Sequence, residues 1–338
     1  MNRQIAVETE ISQEVSQVAG FALRGYQGEG DYAHIAAIIA GCKDADQIER
    51  VDTEDDIRRY YTHLVNCDPY KDMCFVEVGG QVVGYSRATW WLEPNGPEIY
   101  RSLAFLLPDW RRRGIGSALL AWGEQRLTEI AAQNPLASER FFESAAADSE
   151  TGTQTLLDRH AYAPARHFFT MVRPDLENIP ESPLPAGLEV RPVEMNDLQA
   201  IRDAMVEAFR DHWGFNEENE LTVEQWVENP NFDPSLWKVA WEGDQVAGMV
   251  LSYIDDRENQ AYNRKRGWTE DISVRRPWRR RGLARALLVQ SLHAVRQRGM
   301  QEAALGVDTQ NQTGALNLYE SVGFRAVKRW TTYRKPML

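Results

Sequence analysis

Hydrophobic and polar positions follow two different periods near the end of the chain. Residues 267–274 alternate every second position, which predicts a strand. Its predicted faces are Glu270, Ile272 and Val274 on one side, and Thr269, Asp271 and Ser273 on the other. From Leu283 to about Arg298 the apolar positions, including Leu287 and Ala294, follow a helical stripe that Gly299 is placed to end. The pattern therefore predicts a strand that turns directly into a helix.

The same order of segments occurs twice. VEVGGQVVGY at 76–85 matches AWEGDQVAGM at 240–249, and WRRRGIGSALL at 110–120 matches WRRRGLARALL at 278–288, with offsets of 164 and 168. In each copy two helical stretches precede a hairpin, and a further strand then leads into WRRRG. Two copies of one domain therefore follow each other.

A proline-rich segment separates the copies. Residues 173–187 contain four prolines, which exclude a helix and favour an extended connector. We expect a first domain over 1–175, a linker over 176–187 and a second domain over 188–338. Strands and helices mixed in this order predict an α+β fold, in which each domain has a mixed central sheet flanked by helices.

Charge and composition narrow the functional classes. The chain has 50 acidic against 38 basic residues and a formal net charge of −12, which disfavours nucleic acid or an anionic membrane as partner and favours a cationic small substrate. Cys42, Cys67 and Cys74 lack C-x-x-C spacing and the histidines lack H-E-x-x-H pairing, so we expect no disulfide framework and no catalytic metal. Residues 1–15 are too polar for a signal peptide, and no apolar run approaches the roughly 18 residues of a membrane span. We expect a cytoplasmic monomer or homodimer.

Five arginines stand within seven residues, just before a glycine and the predicted helix. They are Arg275, Arg276, Arg279, Arg280 and Arg281. A strand that turns into a helix presents backbone N–H groups without intrahelical partners, and such groups bind anions. Gly282 and Ala284 would let the backbone approach a phosphate closely, and arginine side chains could add bidentate contacts. Because the positive charge is confined to one turn, the pattern favours a phosphate site over a nucleic-acid groove.

Two motifs carry a family resemblance. R-x-x-G-x-A, formed by Arg279, Gly282 and Ala284, follows V-x-x-P, and N-x-x-x-A-x-x-x-Y-x-x-x-G-F comes later in the chain. The second motif contains Asn311, Ala315, Tyr319, Gly323 and Phe324. With the duplicate of the first motif, they resemble the GNAT superfamily of acetyl-CoA-dependent N-acetyltransferases over nearly the whole chain.

The resemblance implies acetyl-CoA as co-substrate, with its pyrophosphate on the arginine turn and its pantetheine arm along the strand that ends at Val274. The implied contact residues are Ile272, Ser273, Val274, Arg279, Arg280, Arg281, Gly282, Leu283, Ala284 and Asn311, and in the first copy Arg111, Gly114 and Gly116. No metal is implied.

Acetyl transfer to an amine needs a neutral amine, a stabilised oxyanion and a proton for the departing thiolate. A primary amine has a pKa near ~10, so a carboxylate must accept its proton. Glu270 stands where the family often has a glutamate, and Asp271 is the reserve. The resemblance also implies that the backbone N–H of Val274 donates to the thioester oxygen and that Tyr319 protonates the sulfur.

The acceptor is expected to lie beside the loop FRDHWGFNEENE at 209–220, between the first two helices of the second copy. Trp213 and Phe215 could form a wall of the pocket, while Asp211, Glu217 or Glu218 attract a cation. The alternative is a helix that ends at Gly214 with its aromatic side chains packed inward. The leading expectation is a small-molecule or peptide amine as acceptor.

The first copy is expected to lack the chemistry. The position matched to Tyr319 holds Leu157 and the one matched to Glu270 holds Ser102, and neither can perform the same proton transfer. Tandem architecture with an active second half is similar to that of mycothiol synthases, whose acceptor is a cysteinyl sugar amine. An aminoglycoside or polyamine acceptor is equally consistent with the acidic loop. A non-catalytic coenzyme A-binding regulatory protein is the other class left open.

Overall fold

The computed structural model describes residues 18–94, 96–134, 139–311 and 314–337. Residues 1–15, on which part of the localisation prediction rests, lie outside them. The chain forms two compact units. The first contains residues up to Ala165 together with 331–338, and the second contains Arg166–Trp330.

The first unit consists of one sheet with helices on both faces. In chain order it contains β1 (Phe21–Gly25), α1 (Gly30–Asp46), α2 (Glu54–Thr62), α3 (Pro69–Asp72), β2 (Met73–Val78), β3 (Gln81–Leu92), β4 (Glu98–Leu106), α4 (Ile115–Ala131), β5 (Arg140–Ala147) and α5 (Thr151–Arg159). The order in the sheet is β1-β2-β3-β4-β5, antiparallel except for the parallel pair β4 and β5. On one face α1 and α2 pack on Phe75 and Tyr85, and on the other α4 packs on Val76 and Val83.

The second unit repeats this plan. It contains most of β6 (Ala163–Arg173), followed by β7 (Glu189–Val190), α6 (Leu198–Phe209), α7 (Val223–Glu228), β8 (Lys238–Glu242), β9 (Gln245–Tyr253), α8 (Asp256–Ala261), β10 (Arg266–Val274), α9 (Leu283–Gln297), β11 (Glu302–Asp308), α10 (Ala315–Ser321) and the first half of β12 (Arg325–Pro336). Helices α6 and α7 cover the face with Met249 and Leu251, and α9 covers the face with Ala247 and Val250. The predicted α+β fold with mixed sheets flanked by helices is confirmed.

Local signals explain where corresponding helices begin. Thr53 starts α2 with a capping box, because its hydroxyl accepts from the backbone N–H of Asp56 while the Asp56 carboxylate accepts from the Thr53 N–H. Thr222 and Gln225 form the same box at the start of α7. The hairpin turns fall at 79–80 and 243–244, as the repeats predict.

Each unit contains a strand segment from the distant part of the sequence. Residues 168–173 of β6, at the end of the first repeat, pair antiparallel with β11 inside the second unit, from Phe168↔Asp308 to Arg173↔Ala303. Residues 331–336 of β12, near the end of the chain, belong to the first unit, where Arg334 pairs with the fully buried Glu143. A division by sequence alone therefore does not coincide with the compact units.

The proline-rich segment forms neither helix nor strand over 174–188. It lies within the second unit, where Leu176 is buried in the core beside α9. Its role as the link between two functional domains stays a prediction. Among the residues that the structure describes, no helix combines the length and apolar character needed to cross a membrane.

Candidate active site

The parallel ladder between β10 and β11 is short. It joins three residue pairs and ends at Trp268↔Ala304. Beyond that point a side chain connects the two strands, because Glu270 Oε1 accepts a hydrogen bond of 3.0 Å from the backbone N–H of Gly306. The residues of the candidate site lie around this opening between the strands.

A β-bulge places Glu270. The pairing of β10 with β9 shifts register between Glu270, which faces Leu251, and Ser273, which faces Met249. Asp271 occupies the bulge with a φ of 47°, a left-handed conformation that aspartate tolerates better than most residues. The bulge therefore interrupts the simple alternation expected from the sequence.

This corrects the predicted faces of the strand. Directly paired residues project from the same face of a sheet, and Leu251 and Met249 both face α6 and α7. Glu270 and Ser273 therefore share that face, whereas Ile272 and Val274 pack on the α9 side. The Ser273 hydroxyl is buried and has no hydrogen-bond partner in the described part of the chain.

Asp271 acts on the pKa values of two glutamates at this opening. Burial and the nearby Asp271 raise the pKa of Glu270 to about 8, against the opposing effect of the Gly306 N–H. Burial raises the pKa of Asp271 to about 6. Burial and Asp271 raise the pKa of Glu220 to about 7, although Arg202 opposes the shift. Asp271 thus lies near both glutamates, and a group of this kind holds protons near neutral pH.

Tyr319 lies in the core beside β11, on the last turns of α10. Its side chain is buried, and it meets Phe324 edge to face with ring centroids 6.4 Å apart. Burial raises the pKa of Tyr319, and the Glu270 carboxylate raises it further. The hydroxyl therefore remains protonated at physiological pH, as a proton donor requires.

The start of α9 presents the anion-binding geometry that the sequence predicts. Gly282 precedes the helix with a φ of 83°, and no side chain caps the first turn. The first N–H groups are thus available to a ligand, and the helix dipole favours a negative one. An added Cβ at Gly282 would meet no atom within 4 Å, so steric crowding does not require glycine here. The positive φ does, because side chains with a Cβ rarely adopt it.

Most arginines of the turn have protein partners. Arg279 donates to the carbonyl oxygens of Val274 and Ala208 and pairs with Asp211, while Arg276 pairs with the same carboxylate. In the same way Arg275 binds Glu207, and Arg281 binds the Ala186 carbonyl oxygen. Arg275 and Arg279 thus hold the turn against α6. Bidentate phosphate contacts from any of these paired side chains would require the pairs to open. Arg280, exposed with a φ of 61°, has no such contact in the described residues.

The predicted acceptor residues have different surroundings. Asp211 pairs with Arg276 and Arg279, which holds its pKa well below the usual range, and is therefore not a free anion. Trp213 packs against Phe168 of β6, with ring centroids 6.2 Å apart, and Phe215 is buried.

The remaining acids of the loop differ in their surroundings. Glu217 and Glu218 are exposed, and Glu217 lies 3.6 Å from Arg210. Glu220, at the end of the same loop, is the carboxylate coupled to Asp271. Nothing in the EENE run distinguishes Glu220 from its neighbours, so the sequence reasoning missed it.

Asn311 and the first-copy residues also have defined surroundings. Asn311 lies between β11 and α10, and its N–H donates to the Asp308 carbonyl oxygen. In the first unit, Gly114 precedes α4 with a φ of 78°, and Arg111 pairs with Asp46. Gly116 lies in the first turn of α4, where an added Cβ would touch Leu156 at 3.4 Å. Both units thus build the same uncapped helix start.

The model of the acetyltransferase (GNAT) family matches residues 17–144 and again 198–324. The chain belongs to the GNAT acetyltransferase family. It is an N-acetyltransferase, and enzymes of this family use acetyl-CoA. The two matched ranges correspond to the two repeats, so the tandem arrangement expected from the sequence is confirmed.

Relatives and solved structures agree with this assignment. A mycothiol acetyltransferase of Geodermatophilus obscurus is 28% identical over 306 residues, which cover 87% of this chain and 92% of that protein. One from Salinispora tropica is 26% identical over 307 residues, covering 90% and 92%. A GCN5-related N-acetyltransferase from Sphaerobacter thermophilus superposes with a TM-score of 0.69 at 27% identity, covering 94% and 95%.

The structure changes which first-unit residue corresponds to Glu270. The β3–β4 ladder continues without a bulge from Gly84↔Leu106 to Leu92↔Glu98. Counted from the matching end of β10, the counterpart of Glu270 is Leu103, because the bulge in the second unit offsets the alignment by one residue. The sequence comparison had selected Ser102. Leu103 cannot accept a proton either, and Leu157 of α5 stands at the position of Tyr319. Among the described residues no group of acids, histidines and cysteines is arranged to hold a metal ion.

Proposed function

We propose that the second unit catalyses the transfer of an acetyl group from acetyl-CoA to a primary amine of a small molecule or peptide. Two placements support this proposal most strongly: Glu270 spans the β10–β11 opening, and Tyr319 is buried against β11, where its pKa responds to the Glu270 carboxylate. One is a carboxyl group whose pKa lies near neutrality, and the other is a hydroxyl that stays protonated. These are the properties of a base and an acid that act in the same step.

Two features of the second unit would bind two parts of one acetyl-CoA molecule. Its pyrophosphate would lie on the uncapped N–H groups from Gly282 onward, with Arg280 as the available guanidinium. Its pantetheine arm would follow the edge of β10 beyond Trp268, where pairing with β11 has ended. The predicted contacts of Ile272, Ser273, Val274 and Asn311 belong to this arm.

The chain's residues then supply the proton transfers. Glu270 accepts a proton from the ammonium form of the acceptor, which leaves the nitrogen lone pair free to attack the thioester carbon. The carbon–nitrogen bond forms and the carbon–sulfur bond breaks, while the Val274 N–H stabilises the oxyanion. Tyr319 donates its proton to the departing sulfur and regains one from the nitrogen, which loses its second proton after the attack. The proton that Glu270 took from the ammonium is the one released to solvent.

The acceptor is proposed to be cationic beyond its reacting amine. Glu220 and Asp271 place two further carboxyl groups near Glu270, and a bound ammonium would lower their raised pKa values by favouring the charged forms. The acceptor of mycothiol acetyltransferases is the second candidate, because relatives of that name match most of the chain. We further propose that the first unit does not catalyse acetylation, that the enzyme acts in the cytoplasm, and that it is a monomer or homodimer.

The test is release of free thiol from acetyl-CoA by the full chain, with a panel of monoamines, polyamines, aminoglycosides and a cysteinyl sugar amine. We expect turnover with a subset of these acceptors, and a loss of about 10²-fold or more in Glu270→Gln and in Tyr319→Phe. Leu157→Met, a conservative change at the first-unit position, is the matched control and should leave turnover unchanged. Saturable acetyl-CoA binding without thiol release for any amine would instead support a regulatory protein.

A further inference from the structure

Three arginines are buried in the described part of the chain, and one differs from the others. Arg173, 7% exposed, donates to the backbone carbonyl oxygens of Asp175, Val322 and Asn178. Arg266, 8% exposed, pairs with Glu302. Arg87, 9% exposed, has neither kind of partner. A buried cation without compensation is costly, so its surroundings call for an explanation.

Neutral side chains surround Arg87 in the first unit. Its Nη2 donates to the hydroxyl of Tyr60 at 2.9 Å, and its guanidinium lies 4.9 Å from the Tyr60 ring and 5.4 Å from the Tyr61 ring. Cys67 and Tyr85 are the other groups that act on its charge. Within residues 18–94, 96–134, 139–311 and 314–337, no carboxylate pairs with it, and the only other side-chain hydrogen bond that it makes is to Tyr61. Aromatic rings stabilise the cation only in part.

The position of Arg87 in the sheet corresponds to the catalytic side of the second unit. Arg87 on β3 is directly opposite Leu103 on β4. At the matching rung of the other sheet, Leu251 on β9 is opposite Glu270 on β10. The two units therefore carry ionisable groups of opposite type on the same rung, Arg87 on the third strand of one and Glu270 on the next strand of the other. Both lie on the face covered by the first two helices of each repeat.

We propose that Arg87 and Tyr60 bind the carboxylate or phosphate group of a small molecule in the first unit. A guanidinium presents its donors in a planar fork that matches both groups, and the Tyr60 hydroxyl adds a third donor at the same point. Tyr60 is 55% exposed, so a ligand can reach this pair from solvent and lay an apolar body against its ring. The first unit thus binds an anion at the position where the second accepts an amine.

The experiment is isothermal titration of the full chain with sodium benzoate and, separately, with inorganic phosphate, at constant ionic strength maintained with sodium chloride. We expect saturable binding of at least one anion with a Kd of about 1 mM or tighter. Binding of benzoate alone identifies a carboxylate site with an aromatic body, and binding of phosphate alone identifies a phosphate site. Sodium chloride should give only the heat of dilution.

Variants assign the binding to this pair. Arg87→Met should raise the Kd by at least about tenfold, and Tyr60→Phe by about fivefold through the lost hydrogen bond. Tyr60→Phe keeps the ring at an exposed position, so it stays informative if Arg87→Met fails to fold. The matched control is Arg58→Met. Arg58 lies on α2, as Tyr60 does, but it is exposed and pairs with Glu54 and Asp55, so this variant should bind the anion as the wild type does. The proposal is overturned if neither anion gives saturable heat, or if both variants bind as tightly as Arg58→Met.

Discussion

Replacing Asp271 by asparagine should move the activity of the second unit to lower pH. Asp271 is one of the two causes that raise the pKa of Glu270 to about 8, the larger being burial. Its own pKa is about 6, so it is charged over the interval in which Glu270 titrates. Asparagine removes that charge and tolerates the left-handed φ of 47° at this position. The substitution therefore perturbs electrostatics while preserving the bulge.

The size of the effect follows from the ionised fraction of Glu270. With a pKa of about 8, about one-tenth of the carboxyl groups are ionised at pH 7 and about one-hundredth at pH 6. Wild-type kcat/KM should therefore rise about tenfold per pH unit below pH 8 and level off above it. If the pKa falls to about 7 in Asp271→Asn, activity at pH 7 rises to about half of the plateau, a gain of about fivefold over wild type relative to each plateau.

The assay is thiol release from acetyl-CoA measured from about pH 5.5 to about pH 9.5, a range that covers both the rise and the plateau of the activity. The pH at which activity rises can depend on the ionisation of Glu270 or of the acceptor amine. Measuring two acceptors whose amine pKa values differ separates these causes, because only the rise due to the acceptor shifts between them. Glu220→Gln is the matched control, since Asp271 and not Glu220 acts on Glu270. A rise that stays at the wild-type pH in Asp271→Asn, or that persists in Glu270→Gln, would refute Glu270 as the base.

Three further outcomes are expected. Tyr319→Phe should lower kcat about 10²-fold with little change in the KM for acetyl-CoA, measured by steady-state thiol release, and an unchanged kcat would remove the hydroxyl from the mechanism. Gly282→Ala forces a side chain into a φ of 83° and should raise the KM for acetyl-CoA several-fold. Gly114→Ala introduces a similar strain in the first unit and should leave turnover unchanged. Equal losses in both variants would show that both helix starts contribute. A fragment spanning 188–338 lacks β6, and its circular dichroism spectrum should be that of an unfolded chain. A fragment spanning 166–338 retains that strand and should show more secondary structure. If the shorter fragment is folded, β6 is dispensable.

The sequence was sufficient for the features that depend on local order. The duplicated WRRRG turn predicted the two uncapped helix starts, because a strand, a glycine and an apolar stripe are each encoded within a few residues. The motif that contains Ala315, Tyr319 and Gly323 likewise fixes the spacing of these residues, and α10 carries Ala315 and Tyr319 and ends before Gly323. Both features rest on spacing along the chain, which folding preserves.

Features that depend on which segments meet were decided by the tertiary structure. The bulge at Asp271 appears only when β10 pairs with β9, and it moves the counterpart of Glu270 from Ser102 to Leu103. The repeats also gave no sign that β6 would join the second unit, because a strand's partner is chosen by long-range hydrogen bonding rather than by its own residues.

The chemistry of the site divides in the same way. The sequence determined that Glu270 and Tyr319 are present, and it supplied an acidic loop that we propose lies beside the acceptor. Only the folded chain decided that Asp271 acts on both Glu220 and Glu270, while Asp211 is neutralised by Arg276 and Arg279. A carboxylate's role depends on its burial and its nearest charges, and residues far apart in the chain set both.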